Sequence, residues 1–417
     1  MVTTSELRLT DRQLLDLMSP LPPGGAGDHP DSAIERFAWL VWSTVCEPGD
    51  SFAGMLVQTL GAAEVLVGEL KQISPVEYRS KLVEAGVDPD VLNLKGDFAE
   101  VLTQSRQRWQ PRINFGAVAK VIEDATSAGI AFIGQHSQRW PNALRGLDRH
   151  QPMGLWFRGR PEVLQELDSS ISIVGSRVST PYGEWATDDL VAGIVQAGYA
   201  TVSGGAYGID ARAHRATLAS AGITVSIMAG GLARLYPNGH KQLFEEIAST
   251  GLLLAELPPS AEPTKWRFLQ RNRLIAALGM ATVLIEAAPR SGALSTAARA
   301  LQLEKPVGAV PGPINAASSQ GCHELIKAGQ AELVTSANDV VRLATGLGLA
   351  FEEQIQTRGA LETRALDALG FGAKTAAQIR TKAGLTESEL QLALSSLALD
   401  GLIGNVEGKW KRLATRV

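Results

Sequence analysis

Only two cysteines, Cys46 and Cys322, occur in 417 residues, so no disulfide framework can be built. No Cys/His cluster stands at ligand spacing, so neither a structural zinc site nor any other metal is expected. Long apolar runs are missing as well. No uninterrupted stretch approaches the ~20 residues a membrane span needs. The opening Met1-Val2-Thr3-Thr4-Ser5-Glu6 lacks the basic segment and apolar run of a secretory signal. A cytoplasmic protein without membrane contact is the expectation. Strong charge of one sign is absent too. A formal net charge of −4 excludes a generally basic, histone-like binder. It does not exclude nucleic acid, because phosphate binding depends on where cations gather.

Glycine, in contrast, is plentiful at 42 residues, which suits tight loops at strand ends. Hydrophobic residues make up 45% and charged residues 20%, a globular composition. At about 100–200 residues per domain, a chain of this length holds two or three.

Residues 1–30 end in Pro20-Leu21-Pro22-Pro23-Gly24-Gly25-Ala26-Gly27 and read as a flexible lead-in. From residue 31 to 128 apolar residues recur at helix spacing, as in Ile34, Phe37, Ala38 and Val41. A small α-helical domain is predicted there. A loop around Trp140-Pro141 and a short strand around Leu155-Trp156-Phe157-Arg158-Gly159 follow. Then apolar runs alternate with amphipathic stretches. The runs are Ile171–Val174, Tyr199–Val202, Thr224–Met228, Leu252–Glu256, Ala281–Ala287 and Val307–Val310, each ending near glycine or proline. Regular β–α alternation predicts α/β, a parallel sheet covered by helices, over residues 129–345. Such sheets bind ligands beyond the carboxyl ends of their strands. Residues 346–358 read as a linker. Residues 359–417 give three helices and a hairpin, the order of a winged-helix-like module.

Four segments carry the chemistry. Val174-Gly175-Ser176-Arg177 closes the first core strand. Gly175 and Ser176 admit an anion to free N–H groups, and Arg177 offers a planar fork to phosphate. An ordinary turn with a solvated arginine fits the same residues. Val178, Ser179 and Thr180 follow, so this is no G-x-G-x-x-G fingerprint, and no nucleotide cofactor is expected. Ser203-Gly204-Gly205-Ala206 lets another phosphate approach the backbone. Asp210 beyond it reads as a helix cap, and His214 as a packing residue without a nucleophile to activate. Lys265-Trp266-Arg267-Phe268-Leu269-Gln270-Arg271-Asn272-Arg273 puts four cations and two aromatics in nine residues. Single strands want that mixture, cations for phosphates and flat rings for unpaired bases. The competing reading is a helix start with core aromatics and solvated arginines. Ser291-Gly292-Ala293-Leu294-Ser295-Thr296 caps a further helix. The adjacent Cys322 and His323 diverge on a helix and make no catalytic pair.

These segments in this order, together with Tyr236-Pro237, Glu256-Leu257-Pro258, Pro311-Gly312 and Gly321 through Ile326, resemble the DprA/Smf family over residues 140–340. The resemblance implies an extended Rossmann core that binds single-stranded DNA and forms a homodimer. It implies protection of incoming strands in natural transformation and help in loading the RecA recombinase. It implies a DNA pocket built on Arg177, Lys265 and Phe268, with Gly204 and Gly205 beside it and Arg271, Asn272, Arg273, Ser291 and Gly292 around it. Many relatives carry Lys or Arg where Tyr207 stands, and Trp266 is an additional aromatic. The C-terminal module varies in its task within the family, with duplex DNA and protein as the candidate partners. The alternative is a nucleotide-processing enzyme of the lysine-decarboxylase-like phosphoribohydrolase group. That chemistry needs a glutamate after a Gly-Gly-x-Gly-Thr loop. Here Ala297-Ala298-Arg299-Ala300 follows the corresponding loop with no carboxylate, so no catalytic residue is assigned.

Overall fold

The apolar runs in the middle of the chain become the strands of one sheet in the computed structural model, which describes residues 2–21, 33–91, 94, 96–346, 359–370, 372–406 and 408–413. Two compact units, Met1–Leu349 and Ala350–Val417, are each described by themselves.

In the first unit the chain opens with α1 (Asp11–Met18), α2 (Ala33–Val45), α3 (Ser51–Leu60), α4 (Ala62–Lys71), α5 (Pro75–Glu84), α6 (Phe98–Trp109) and α7 (Phe115–Ser127). The reading of residues 1–30 as a flexible lead-in is corrected in its described part. Thr10 and Gln13 form a capping box at the start of α1, which satisfies two otherwise orphaned amides. Leu14 and Met18, one turn apart, are buried together with Leu7 and Leu21. Residues 22–30 lie outside the described residues.

The sheet has nine strands: β1 (Ala131–Gly134), β2 (Gly154–Gly159), β3 (Ser170–Val174), β4 (Ala200–Ser203), β5 (Thr224–Met228), β6 (Leu252–Ala255), β7 (Ala281–Leu284), β8 (Val307–Ala309) and β9 (Glu332–Leu333). Their spatial order is β1-β2-β6-β5-β4-β3-β7-β8-β9. Pairing is parallel from β6 through β9. The β1–β2 hairpin adds antiparallel strands to one edge, where Phe132 and Trp156 meet at 4.8 Å. Every residue of β3 through β8 is buried, as expected of strands covered on both faces.

The covering helices are α8 (Val163–Glu166), α9 (Pro181–Gln196), α10 (Ile209–Ala219), α11 (Lys241–Thr250), α12 (Lys265–Leu278), α13 (Gly292–Gln302), α14 (Gln320–Lys327) and α15 (Ala337–Thr345). The N-terminal helices do not keep a core to themselves. Trp42, Phe52 and Trp109 belong to one hydrophobic cluster with Phe132, Trp156, Phe244 and Leu253 of the sheet region. No single helix among the described residues is long and apolar enough to cross a membrane. The apolar pair α3–α4 is bent by 110°.

The second unit contains α16 (Ala360–Leu369), β10 (Lys374–Thr375), α17 (Ala376–Ala383), α18 (Glu387–Leu399), β11 (Ile403–Val406) and β12 (Lys409–Arg412). Its three strands pair in the order β10-β12-β11 against a core of Leu366, Leu369, Ile379, Leu390 and Leu394. Three helices and a small sheet in this order are winged-helix-like. Residues 347–358, most of the expected linker, lie outside the described residues.

Candidate nucleic-acid interface

The strand order reverses at β3. Its chain goes on to β4 on one side, while β7 lies on the other. Loops leaving β3 and β7 therefore part from each other and open a crevice, the place where doubly wound sheets take ligands. A cavity of 460 Å³ occupies it. Gly175, Ser176 and Arg177 line it from the loop after β3, Phe268, Arg271 and Asn272 from α12, and Ser291 and Gly292 from the start of α13. Eight of the twelve residues expected at the site thus converge. Gly204, Gly205, Lys265 and Arg273 do not line it.

Local chemistry shapes the Gly175–Thr180 loop. The Thr180 hydroxyl caps α9 by accepting from the Gly183 amide (3.1 Å). The Thr180 amide and hydroxyl both donate to Glu286, at 3.0 and 2.6 Å. Glu286 is only 1% exposed, so these charge-assisted bonds anchor the loop to the end of β7. On the other side, the Ile209 amide donates to the Ser176 carbonyl (3.0 Å). Gly208 allows that approach. Its φ is +76°, and a Cβ there would collide with the Ser176 carbonyl.

α12 divides its four cations by task. Thr264 caps the helix, leaving Lys265 exposed in the first turn. Among the described residues Lys265 has no ion pair. Arg267 is committed to Glu47, with Nη2 3.0 Å from Oε1. Arg271 Nη1 donates to the carbonyls of Gly204 (2.7 Å) and Ile227 (2.5 Å), fastening α12 to the ends of β4 and β5. Arg273 is 4% exposed and grips Glu256 with two bonds of 2.7 and 2.5 Å, while its Nε donates to the His150 carbonyl (3.1 Å). The reading of this segment as four phosphate-seeking cations is corrected accordingly. Burial made two arginines internal fasteners, and Glu47 took a third.

Gly204 is corrected in the same way. A Cβ there would strike the Arg271 guanidinium, so the glycine makes room for an arginine. Gly205 faces His240, whose Nδ1 donates to its carbonyl (3.1 Å). Tyr207 packs edge-on against His240, ring centres 4.5 Å apart, and leaves half its surface exposed.

At the cavity rim the Phe268 ring has the exposed Arg177 guanidinium 5.3 Å from its centre and Arg271 at 5.8 Å. Tyr236 meets the same ring edge-on at 5.9 Å. An arginine within about 6 Å of a ring face is held by cation–π attraction, which orients Arg177 while leaving its donors to solvent. Burial pushes the Asp210 carboxyl up, while Arg271 and nearby amides draw it down. Burial likewise lowers Arg271 to about 10, Asp210 opposing, so the guanidinium is charged at neutral pH. His214 is fully buried, bonds Thr224 at 2.7 Å, and is held down to about 3 by burial and by His240 and Arg271. It packs inside the fold, and among the described residues no histidine or cysteine lines the cavity. Among the described residues no group of three or more His, Cys, Asp or Glu could hold a metal ion.

Sequence reasoning left three contributors out of the site, Asp210 among them because it was read as a helix cap. Arg290 and Asp210 line the cavity, and Glu286 holds its loop. An acid inside the apolar run Ala281–Ala287, next to its last residue, was the available signal for Glu286. Nothing local distinguishes Arg290.

Residues 131–345 match the family described as DNA recombination-mediator protein A. A Mycobacterium tuberculosis relative bearing the DprA name is 36% identical over 391 residues, covering 90% of this chain and 94% of its own. The chain belongs to the DprA/Smf family. The DNA processing protein DprA of Bacillus subtilis is 34% identical over 221 residues, 53% of this chain and 73% of that one. The X-ray structure of DprA from Streptococcus pneumoniae aligns with a TM-score of 0.56 at 26% identity, covering 74% of this chain and 96% of that chain. The DprA-like α/β fold is therefore common to both.

Proposed function

We propose that this chain binds single-stranded DNA in the crevice between the loops of β3 and β7, as a recombination mediator and not as an enzyme. The observation that carries the reading is the exposed Arg177 guanidinium poised over the Phe268 ring at the rim of the cavity. A cation for phosphate beside a ring for an unpaired base is what a single strand requires. Lys265, exposed one turn before Phe268, is the second phosphate contact. Ser291 and Gly292 bring the start of α13, where backbone N–H groups favour an anion. Protection of incoming strands, help in loading RecA, action as a homodimer and a cytoplasmic setting rest on family membership.

Among the described residues Asp210 is the one carboxylate lining the cavity. Its burial against Arg271 suits it to hold that arginine in place, and no nucleophile–base pair accompanies it. The test is a titration of oligo-dT and of duplex of equal length by fluorescence anisotropy. Preference for the single strand, lost in Arg177→Ala, Lys265→Ala and Phe268→Ala, is the expected result. Equal binding of all variants refutes the site.

A further inference from the structure

A second cavity, of 470 Å³, lies on the other side of α12. Trp266, Gln270 and Arg273 line it from α12, Arg299 and Gln302 from α13, and His150 from the loop before β2. At about 100° per residue, Trp266, Gln270 and Arg273 form one face of α12. Phe268, Arg271, Asn272 and Ile275, which line the first cavity, form the opposite face. Lys265 sits on the ridge between them. The two cavities also share α13. Gly292 lines the first and Gln302 the second, about 15 Å apart along the helix at about 1.5 Å per residue.

The second cavity has the same chemistry as the first. Trp266 is 46% exposed. Among the described residues no carboxylate lines the space. Arg273 is neutralised by Glu256, whereas the Arg299 side chain donates to Gln302 on its own helix (3.0 Å) and among the described residues has no ion pair, so it brings a positive charge to the space. Two glutamine amides complete the polar lining.

We propose that this cavity is a second subsite for the same single strand, which crosses the α12 ridge at Lys265, stacks an unpaired base on Trp266 and sets the adjoining phosphate against Arg299. The inference rests on the single-strand reading of the first cavity. It makes Trp266 a determinant of how many nucleotides one chain occupies.

The test is anisotropy with an oligo-dT series from about 4 to about 16 nucleotides, the range of single-strand site sizes. Trp266→Ala is expected to bind the longest strands about tenfold or more weakly, as loss of a base stack requires, and the shortest as the wild type does. Trp266→Phe restores most of the affinity. Arg299→Ala lowers the salt slope by about 0.7 for long strands only. Wild-type affinity of Trp266→Ala at every length overturns the proposal, and so does an equal loss at every length. Phe268→Ala separates the two claims. If it weakens all lengths while Trp266→Ala is silent, only the second subsite falls. If Phe268→Ala is itself silent, both fall.

Discussion

Arg273 decides between two views of the basic segment, and its removal separates stability from binding. Its side chain is 5% exposed and that of Glu256 11%, and the two share a pair of bonds no longer than 2.7 Å. Removing one partner of a buried pair strands the other charge in low dielectric, at a cost of about 3–5 kcal/mol. For a unit of this size about 2 °C of melting temperature accompanies each kcal/mol, so Arg273→Ala should melt about 6–10 °C below the parent. The double variant Arg273→Leu with Glu256→Leu should recover most of that loss, because no orphaned charge remains. Affinity for a short oligo-dT strand, measured well below both melting temperatures, should stay within about twofold of the parent, since each Arg273 nitrogen already donates inside the fold, to Glu256, Gln270 or His150. Thermal melts followed by circular dichroism and anisotropy titrations provide the two readings. An unchanged melting temperature together with weakened binding would refute the reasoning and return Arg273 to the phosphate contacts.

Three other outcomes follow from the same geometry. Glu286→Ala removes both bonds that hold Thr180; it should weaken oligo-dT binding several-fold and lower the melting temperature, whereas a rise in affinity would show the anchored loop to be an obstacle. Gly208→Ala should be more disruptive than its size suggests, because the positive φ and the Ser176 carbonyl both oppose a Cβ; a stable variant with normal binding contradicts this. His214 is held at about 3 against an ordinary 6.5, so the unfolded chain takes up a proton that the folded chain refuses. Its contribution to stability is complete above about 6.5 and falls by about 1.4 kcal/mol per pH unit below it. Urea unfolding at pH 7.5 and pH 5.5 should show a smaller difference in His214→Gln than in the parent, and equal differences would refute the assignment.

Six of the seven parallel strands, β3 through β8, were legible because each announced itself twice, by an apolar run and by the glycine or proline that ended it, whereas the two exposed residues of β9 form no such run. Thr224–Met228 was read with its observed limits, and Ile171–Val174 fell one residue short of β3. β1 escaped because its partner, β2, lies twenty residues further on and no tight turn joins the two. α1 escaped because the proline-glycine stretch after it dominated the reading of residues 1–30. At the site, loop residues were legible from composition, whereas the fates of the arginines were not. Arg267, Arg271 and Arg273 differ from Lys265 only in what lies opposite them in space. Glu47 and Glu256 are distant in sequence, and no spacing rule reaches from 47 to 267.

The most direct measurement of the central claim is the salt dependence of oligo-dT binding in Arg177→Ala and Phe268→Ala. The arginine variant should bind more weakly with a slope shallower by about 0.7, one phosphate contact. The phenylalanine variant should lose about 1–3 kcal/mol, the worth of one stacked base, at an unchanged slope. Parent affinity and parent slope in both variants would contradict a single strand held in the crevice between β3 and β7.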